Sequence, residues 1–365
     1  MSQFRASAAV IGLAIAWMLL STLSSRQDMA PSLETAGSHS LLSDNFPLTV
    51  THPIEIGAFV GVSPPTAAAV HEFEDLIGRH LRSVMWYQGW GATDQPSFPC
   101  TDLLPVLEHD GVLTDISFHL TWEPWVSLTD IAHGVYDAYL AQYATEIKAC
   151  GLKTRLRFAH EMIQNDVYDN CQGQPNCPEW YPWQDQPTDY VAAFRHVHDV
   201  FRTAGATNVE FVWCPNNYPD SVNVVSKYYP GSAYVDWLCI DGYKWNGADW
   251  GSGWFNDIFY NLYHTFVDNK AIFGDKPVMI GEFAACEGVV KPAWITDAFS
   301  NLTSTGYSKI GAFYWFNINK ECDWRVNSAP DSLTAFQAAI SDPAQFISHH
   351  RLEKVVYLPV ILKGP

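Results

Sequence analysis

Residues 153–161 read KTRLRFAHE, and residues 276–285 read KPVMIGEFAA. Each contains a short β-prone run, and each carries a glutamate, Glu161 or Glu282, at or near the end of that run. Six more short β-rich runs surround them: IEIGAFVG (54–61), SVMWYQGW (83–90), TDISFHLTW (114–122), NVEFVWCPN (208–216), VDWLCIDGY (235–243) and KIGAFYWFN (309–317). Stretches with helical periodicity lie between them, such as 67–81, 129–151 and 189–205. Strands alternating with helices predict parallel strands joined by crossover helices. Eight such units in one domain predict an α/β fold of the closed (β/α)8 type. The rival is an open doubly wound sheet, but no GxGxxG follows the first strand to favour it.

The barrel gives the two glutamates a meaning. In such folds the C-terminal strand ends build the active site. RFAHE ends strand four and VMIGE ends strand seven, so Glu161 and Glu282 are expected to face each other across the mouth. Simple alternation puts Arg157, Ala159 and Glu161 on one face, and Val278, Ile280 and Glu282 on one face of the other strand. The same alternation turns His160 towards the helices unless a bulge intervenes. Paired carboxylates suit glycosidic bond cleavage, where one donates a proton and the other stays ionised. Arg157, below Glu161, and Tyr243, ending strand six, are placed to hold Glu282 in its charged form.

Composition narrows the partners. The 365 residues carry 39 Asp and Glu against 21 Lys and Arg, a formal charge of −18. That excludes nucleic acid or an anionic membrane surface as the natural partner. The chain has 48% apolar residues, enough for a large core, and 15 Trp and 17 Tyr, residue types that stack on sugar rings. Residues 1–25 read as a secretory signal peptide or an N-terminal anchor. Residues 26–50 read as a polar, disordered leader. The catalytic domain is assigned to 51–342, and 343–365 to a C-terminal tail holding one apolar strand.

Eight cysteines in an exported chain predict disulfides. Cys171 and Cys177 flank a tight polar loop, and Cys286 and Cys322 each follow a late strand, so these are the candidate pairs. Cys214 and Cys239 lie in apolar runs and read equally well as buried free thiols. No CxxC pair or zinc-type spacing appears, so neither a metal nor any other cofactor is expected.

RFAHEM (157–162), WYPW (180–183), DGY (241–243), GEF (281–283), and WFN followed by DWR (315–325) occur in that order. Together they resemble glycoside hydrolase family 26, within a large clan of retaining (β/α)8 glycosidases. The resemblance spans roughly residues 54 to 340. It implies Glu161 as general acid/base and Glu282 as nucleophile. It implies substrate contacts from His160, Trp183, Asp241, Tyr243 and Trp315, with Trp315 as the platform under the sugar and Trp183 on the aglycone side. Ile163 stands where many members have asparagine, and QNDVYDNCQGQPNCPE (164–179) is inserted before WYPW.

The expected activity is that of a secreted, monomeric endo-hydrolase of β-1,4-mannan. A mixed-linkage β-glucanase or β-1,3-xylanase is the alternative within the family, and a non-catalytic carbohydrate-binding protein the alternative outside it. Trp90, Trp122, Trp245, Trp250 and Trp254 are expected on loops along an open cleft. The apolar end RLEKVVYLPVILKGP (351–365) reads either as a strand on the outside of the barrel or as a tail for export or surface attachment.

Overall fold

A computed structural model describes residues 53–109, 111–163, 180–218, 220–246 and 253–350. The eight β-rich runs form eight parallel strands: β1 (Ile54–Phe59), β2 (Ser83–Trp90), β3 (Ser117–Pro124), β4 (Thr154–Phe158), β5 (Val209–Trp213), β6 (Trp237–Lys244), β7 (Val278–Ala285) and β8 (Ile310–Phe316). Each pairs with its sequence neighbour, and β8 returns to β1 in register from Glu55↔Ala312 to Phe59↔Phe316. The eight strands therefore close into a barrel.

The crossovers carry helices whose ends are written in the sequence. The helix Ala67–Ile77 starts at Thr66, whose side chain accepts from the Ala69 N–H, and stops at Gly78 with φ of 68°. Helices Asp137–Cys150 and Pro187–Ala204 stop in the same way at Gly151 and Gly205. The expected helix over 129–151 is divided into Leu128–Ala132 and Asp137–Cys150, with Gly134 left-handed between them. Phe194, Phe201, Phe283, Phe299, Phe313 and Trp294 fill the space between helices and strands.

Inside the barrel, β4 places Arg155 and Arg157 on one face in two successive layers. Arg155 is held by Glu55 from β1, Glu210 from β5 and the Tyr314 hydroxyl from β8, and it lies 4.3 Å from the Trp237 ring. The Arg157 layer, nearer the mouth, belongs to the candidate site.

The packed domain continues past residue 342. Phe346 and Ile347 form a short strand parallel to β1, Phe346 is buried, and Arg79 donates to the carbonyls of Ile340 and Phe346. The 351–365 segment lies outside the described residues, as do residues 1–52. Among the described residues no helix is long and apolar enough to cross a membrane.

Three disulfides occur among the described residues. Cys286–Cys322 is bonded as expected. Cys214–Cys239 is also a disulfide, linking the end of β5 to β6, so the free-thiol reading does not hold. The apolar flanks reflect the barrel wall rather than a reduced state. Cys100–Cys150 ties the segment after β2 to the end of a helix, a pair that spacing did not indicate. Cys171 and Cys177 lie outside the described residues.

Candidate active site

The mouth of the barrel is organised around Arg157. Its Nε and Nη2 donate to Thr121 Oγ1 on β3, and its Nη1 donates to both carboxylate oxygens of Asp241 on β6, at 2.7 and 2.6 Å. Its Nη2 also donates to Glu282 Oε1 on β7 at 2.5 Å. Arg157, Asp241 and Glu282 are all buried. A guanidinium with its donors satisfied by two carboxylates and a hydroxyl ties β4 to three other strands in one geometry. The Tyr243 hydroxyl donates to the second oxygen of Glu282. Glu282 is thus held by both oxygens.

Neither glutamate is placed by simple alternation. A Cβ on Gly281 would point inward, 2.7 Å from Asp241 Oδ1 and 3.0 Å from Arg157 Nη1. Ile280, paired with the outward-packed Phe313, faces the helices. The register with β6 then slips between Ile240↔Ile280 and Asp241↔Glu282, and this irregularity turns Glu282 inward beside Gly281. Val278, Ile280 and Glu282 therefore do not share a face. On the other strand, regular structure ends at Phe158, and Ala159 and Glu161 both have left-handed backbones, with φ of 46° and 51°. That break brings His160 to the interior, with its Nε2 3.8 Å from Glu282 Oε1. Glu161 is fixed by its N–H to the Cys214 carbonyl and by the Gln184 amide on its own carbonyl.

The electrostatics separate the two carboxyls. Burial, and then the charge of Glu282, push Glu161 up to about 8. Burial also opposes ionisation of Glu282, but the Arg157 guanidinium outweighs it, helped by the Tyr243 hydroxyl, and holds Glu282 down at about 2. Burial followed by Arg157 drives His160 down to about 3, so its imidazole is neutral. Asp241 is pushed up by burial, against Arg157, with the neighbouring glutamates adding to the rise. The two carboxyls are thus biased in opposite directions, Glu161 towards its protonated form and Glu282 towards its ionised form.

Sequence reasoning missed a third carboxyl at the mouth. Glu123, near the end of β3, is pushed up to about 7 by burial and then by Glu282. The signal was present in HLTWEP (119–124), another β-rich run finishing in a glutamate. Tyr87 on β2 also reaches the site, with the Arg157 guanidinium 6.0 Å from its ring.

The aromatic residues are distributed differently from expectation. Trp315 is fully buried between Phe283 and Phe336, on the helix side of β8, and its indole donates to the Trp324 carbonyl. It does not line the mouth, because the inward position at that level is taken by Phe316, beside Phe59, Tyr87 and Tyr243. Trp183 is also fully buried, donates to the His160 carbonyl at 2.7 Å and lies flat under Tyr181 at 4.5 Å. It braces His160, while Tyr181 and the half-exposed Trp125 form the wall beside Glu161. Trp90 and Trp122 are core residues packed on Tyr139 and Tyr143, Trp254 is exposed, and Trp250 lies outside the described residues. The insertion 164–179 lies outside them too.

His160, Asp241 and Glu282 come close enough to hold a cation. Arg157 already bridges Asp241 and Glu282, so a fixed positive charge occupies that role.

The fold and the mouth define a (β/α)8 barrel that presents carboxyls from strands β4 and β7. The model of glycosyl hydrolase family 26 matches residues 172–283. Over 302 residues the chain is 37% identical to Endoglucanase H of Acetivibrio thermocellus, covering 79% of this chain and 30% of that protein. The chain thus spans under a third of that curated relative. The catalytic domain of a Bacillus sp. JAMB-750 GH26 endo-beta-1,4-mannanase superposes with a TM-score of 0.59 at 17% identity, over 82% of this chain and 88% of that one. A Cellulomonas fimi endo-beta-1,4-mannanase double mutant gives 0.58 at 17% identity, over 81% and 72%. These two likenesses concern the fold. In sequence the chain is thus similar to glycosyl hydrolase family 26.

Proposed function

We propose that the chain hydrolyses β-glycosidic bonds within a polysaccharide by double displacement, with Glu161 as acid/base and Glu282 as nucleophile. The observation that carries this is the opposite bias on two carboxyls at one barrel mouth, one up to about 8 and the other down to about 2, from separate physical causes. Glu282 attacks the anomeric carbon as the glycosidic C–O bond breaks and the Glu161 proton passes to the departing oxygen. The resulting ester removes the negative charge of Glu282. That charge is part of what keeps Glu161 protonated, so Glu161 then stays ionised and takes a proton from water. The water oxygen attacks the anomeric carbon and Glu282 leaves as a carboxylate. Arg157 and Tyr243 orient Glu282, and neutral His160 offers the substrate a hydrogen-bonding ring without adding charge. A carboxyl separation of about 5–5.5 Å is the geometry such a mechanism requires.

The proposed substrate is a β-glucan chain, supported by the 37% identity to a protein named Endoglucanase H. The mannan reading from the sequence keeps the same chemistry, since glucose and mannose differ only in configuration at C2. Export belongs to the same proposal and is supported by the three disulfides, which persist in oxidising compartments. The test is incubation of the purified chain with mixed-linkage β-glucan, galactomannan, glucomannan and β-1,3-xylan beside a Glu282→Ala control. Oligosaccharides from β-glucan, absent in the control, support the proposal. Release from the mannans alone keeps the mechanism and replaces the substrate. Binding without release from any of them supports a carbohydrate-binding protein instead.

A further inference from the structure

At the foot of the barrel, opposite the mouth, the fold gathers histidines that the sequence keeps far apart. His80 precedes β2, His109 lies in the short hairpin before β3, and His349 follows the strand beside β1. The His80 and His349 rings stack 4.5 Å apart, and His109 lies 4.1 Å from His80 and 5.5 Å from His349. One ring nitrogen from each of the three lies within 4.8 Å of the other two.

Two further observations point to a ligand. Beneath the rings sits the buried carboxylate of Glu74, which accepts from the Leu81 N–H at 2.7 Å and lies 3.1 Å from both His80 Nδ1 and His109 Nε2. A carboxylate beside the ring nitrogens fixes tautomer and ring orientation, the usual support of metal-binding histidines. Both ring nitrogens of His349 are buried with no hydrogen-bond partner among the described residues. A buried polar group without a partner costs on the order of 1–3 kcal/mol, which marks it as a group waiting for one.

We propose that His80, His109 and His349 bind one divalent transition-metal ion of the zinc class, with Glu74 orienting two of the ligands. Neutral imidazoles favour zinc, copper or nickel over calcium or magnesium. Tetrahedral zinc needs Zn–N distances of about 2.0–2.1 Å, so the three rings must draw together. His80, with 46% of its side chain exposed, has the freedom to turn. The ion would pin the C-terminal stretch 346–350 to the turn before β2, where the His349 N–H already meets the Leu81 carbonyl.

The test uses the full chain, stripped with EDTA and dialysed against zinc. The proposal predicts one zinc per chain and a rise in Tm of about 4 °C at a hundredfold excess over Kd. It also predicts the visible absorption of tetrahedral cobalt when Co2+ replaces zinc. His80→Ala and His349→Ala each abolish the bound zinc and the thermal shift, while His264→Ala, on a distant helix, keeps both. Should His349→Ala fail to fold, the exposed His80→Ala decides. The absence of a bound zinc, or the same stoichiometry and shift in His80→Ala, overturns the proposal.

Discussion

Arg157 donates to Glu282 at 2.5 Å from the strand that also delivers Glu161, so one strand serves both members of the carboxyl pair. The guanidinium keeps Glu282 ionised while Glu161, at the same strand's end, is left to burial. A positive charge inside the barrel is therefore what separates the two roles.

Replacing Arg157 by methionine leaves Asp241 and Glu282 buried without their cation. Breaking a buried pair in this way costs about 3–5 kcal/mol. Urea denaturation of Arg157→Met is expected to show at least that loss, and at low temperature the folded fraction should lose hydrolysis because Glu282 is no longer held ionised. Arg157→Lys restores the charge but not the fork across Asp241 and Glu282, so it should recover part of the stability and little of the activity.

The pH dependence follows from the same pair. Activity needs Glu161 protonated and Glu282 ionised, so kcat/KM should fall as pH rises through about 8 and, on the acid side, only on approach to about 2. Stability has a matching sign. Burial holds the folded pKa of Glu161 above the ordinary glutamate value of 4.5, so its contribution is fully present below about 4.5 and is lost as pH rises through about 8. Glu161→Gln should therefore raise Tm at pH 9 and leave it nearly unchanged at pH 4.

Ala159 tests the strained turn that aims His160. An alanine at φ of 46° carries about 1–2 kcal/mol relative to glycine. Ala159→Gly should then match or slightly exceed the wild type in stability, while kcat drops roughly tenfold because His160 and Glu161 lose their fixed placement. Equal stability and unchanged kcat would show that the strain has no bearing on the site.

The two classes of tryptophan separate in one experiment. Trp315→Ala removes a side chain sealed between Phe283 and Phe336 and should cost about 3–5 kcal/mol. Trp125→Ala removes a half-exposed ring at the wall and should leave Tm within a few degrees while raising KM severalfold.

The eight strands and the two carboxyl-bearing strand ends were legible because β-rich runs alternate with capped helices over most of the chain. Orientation was not. Alternation put His160 on the helix side unless a bulge intervened, and the left-handed Ala159 supplies that break; it gave Glu282 a regular strand, whereas a register slip at Gly281 turns it inward. Ala159 does not announce such a break in composition, whereas a glycine inside a strand, as at Gly281, is a known mark of a bulge. Trp315 and Phe316 are adjacent and both aromatic, so a one-residue difference in facing separates core from mouth. The cysteines showed a related limit, since Cys214 and Cys239 have the same apolar flanks whether bonded or free. Glu123 was readable by the rule that found Glu161 and Glu282, and its place on β3 shows that the rule extends beyond strands four and seven.

The most direct test of the double-displacement account is to trap the intermediate. The chain would be treated with a 2-deoxy-2-fluoro β-glucosyl or β-mannosyl oligosaccharide bearing a good leaving group, then digested and sequenced by mass spectrometry. The account predicts a single glycosyl ester on Glu282 that forms in the wild type and is absent in Glu282→Ala. An ester on Glu123 or Glu161, or an unmodified enzyme that turns over β-glycan with inverted products, would contradict it.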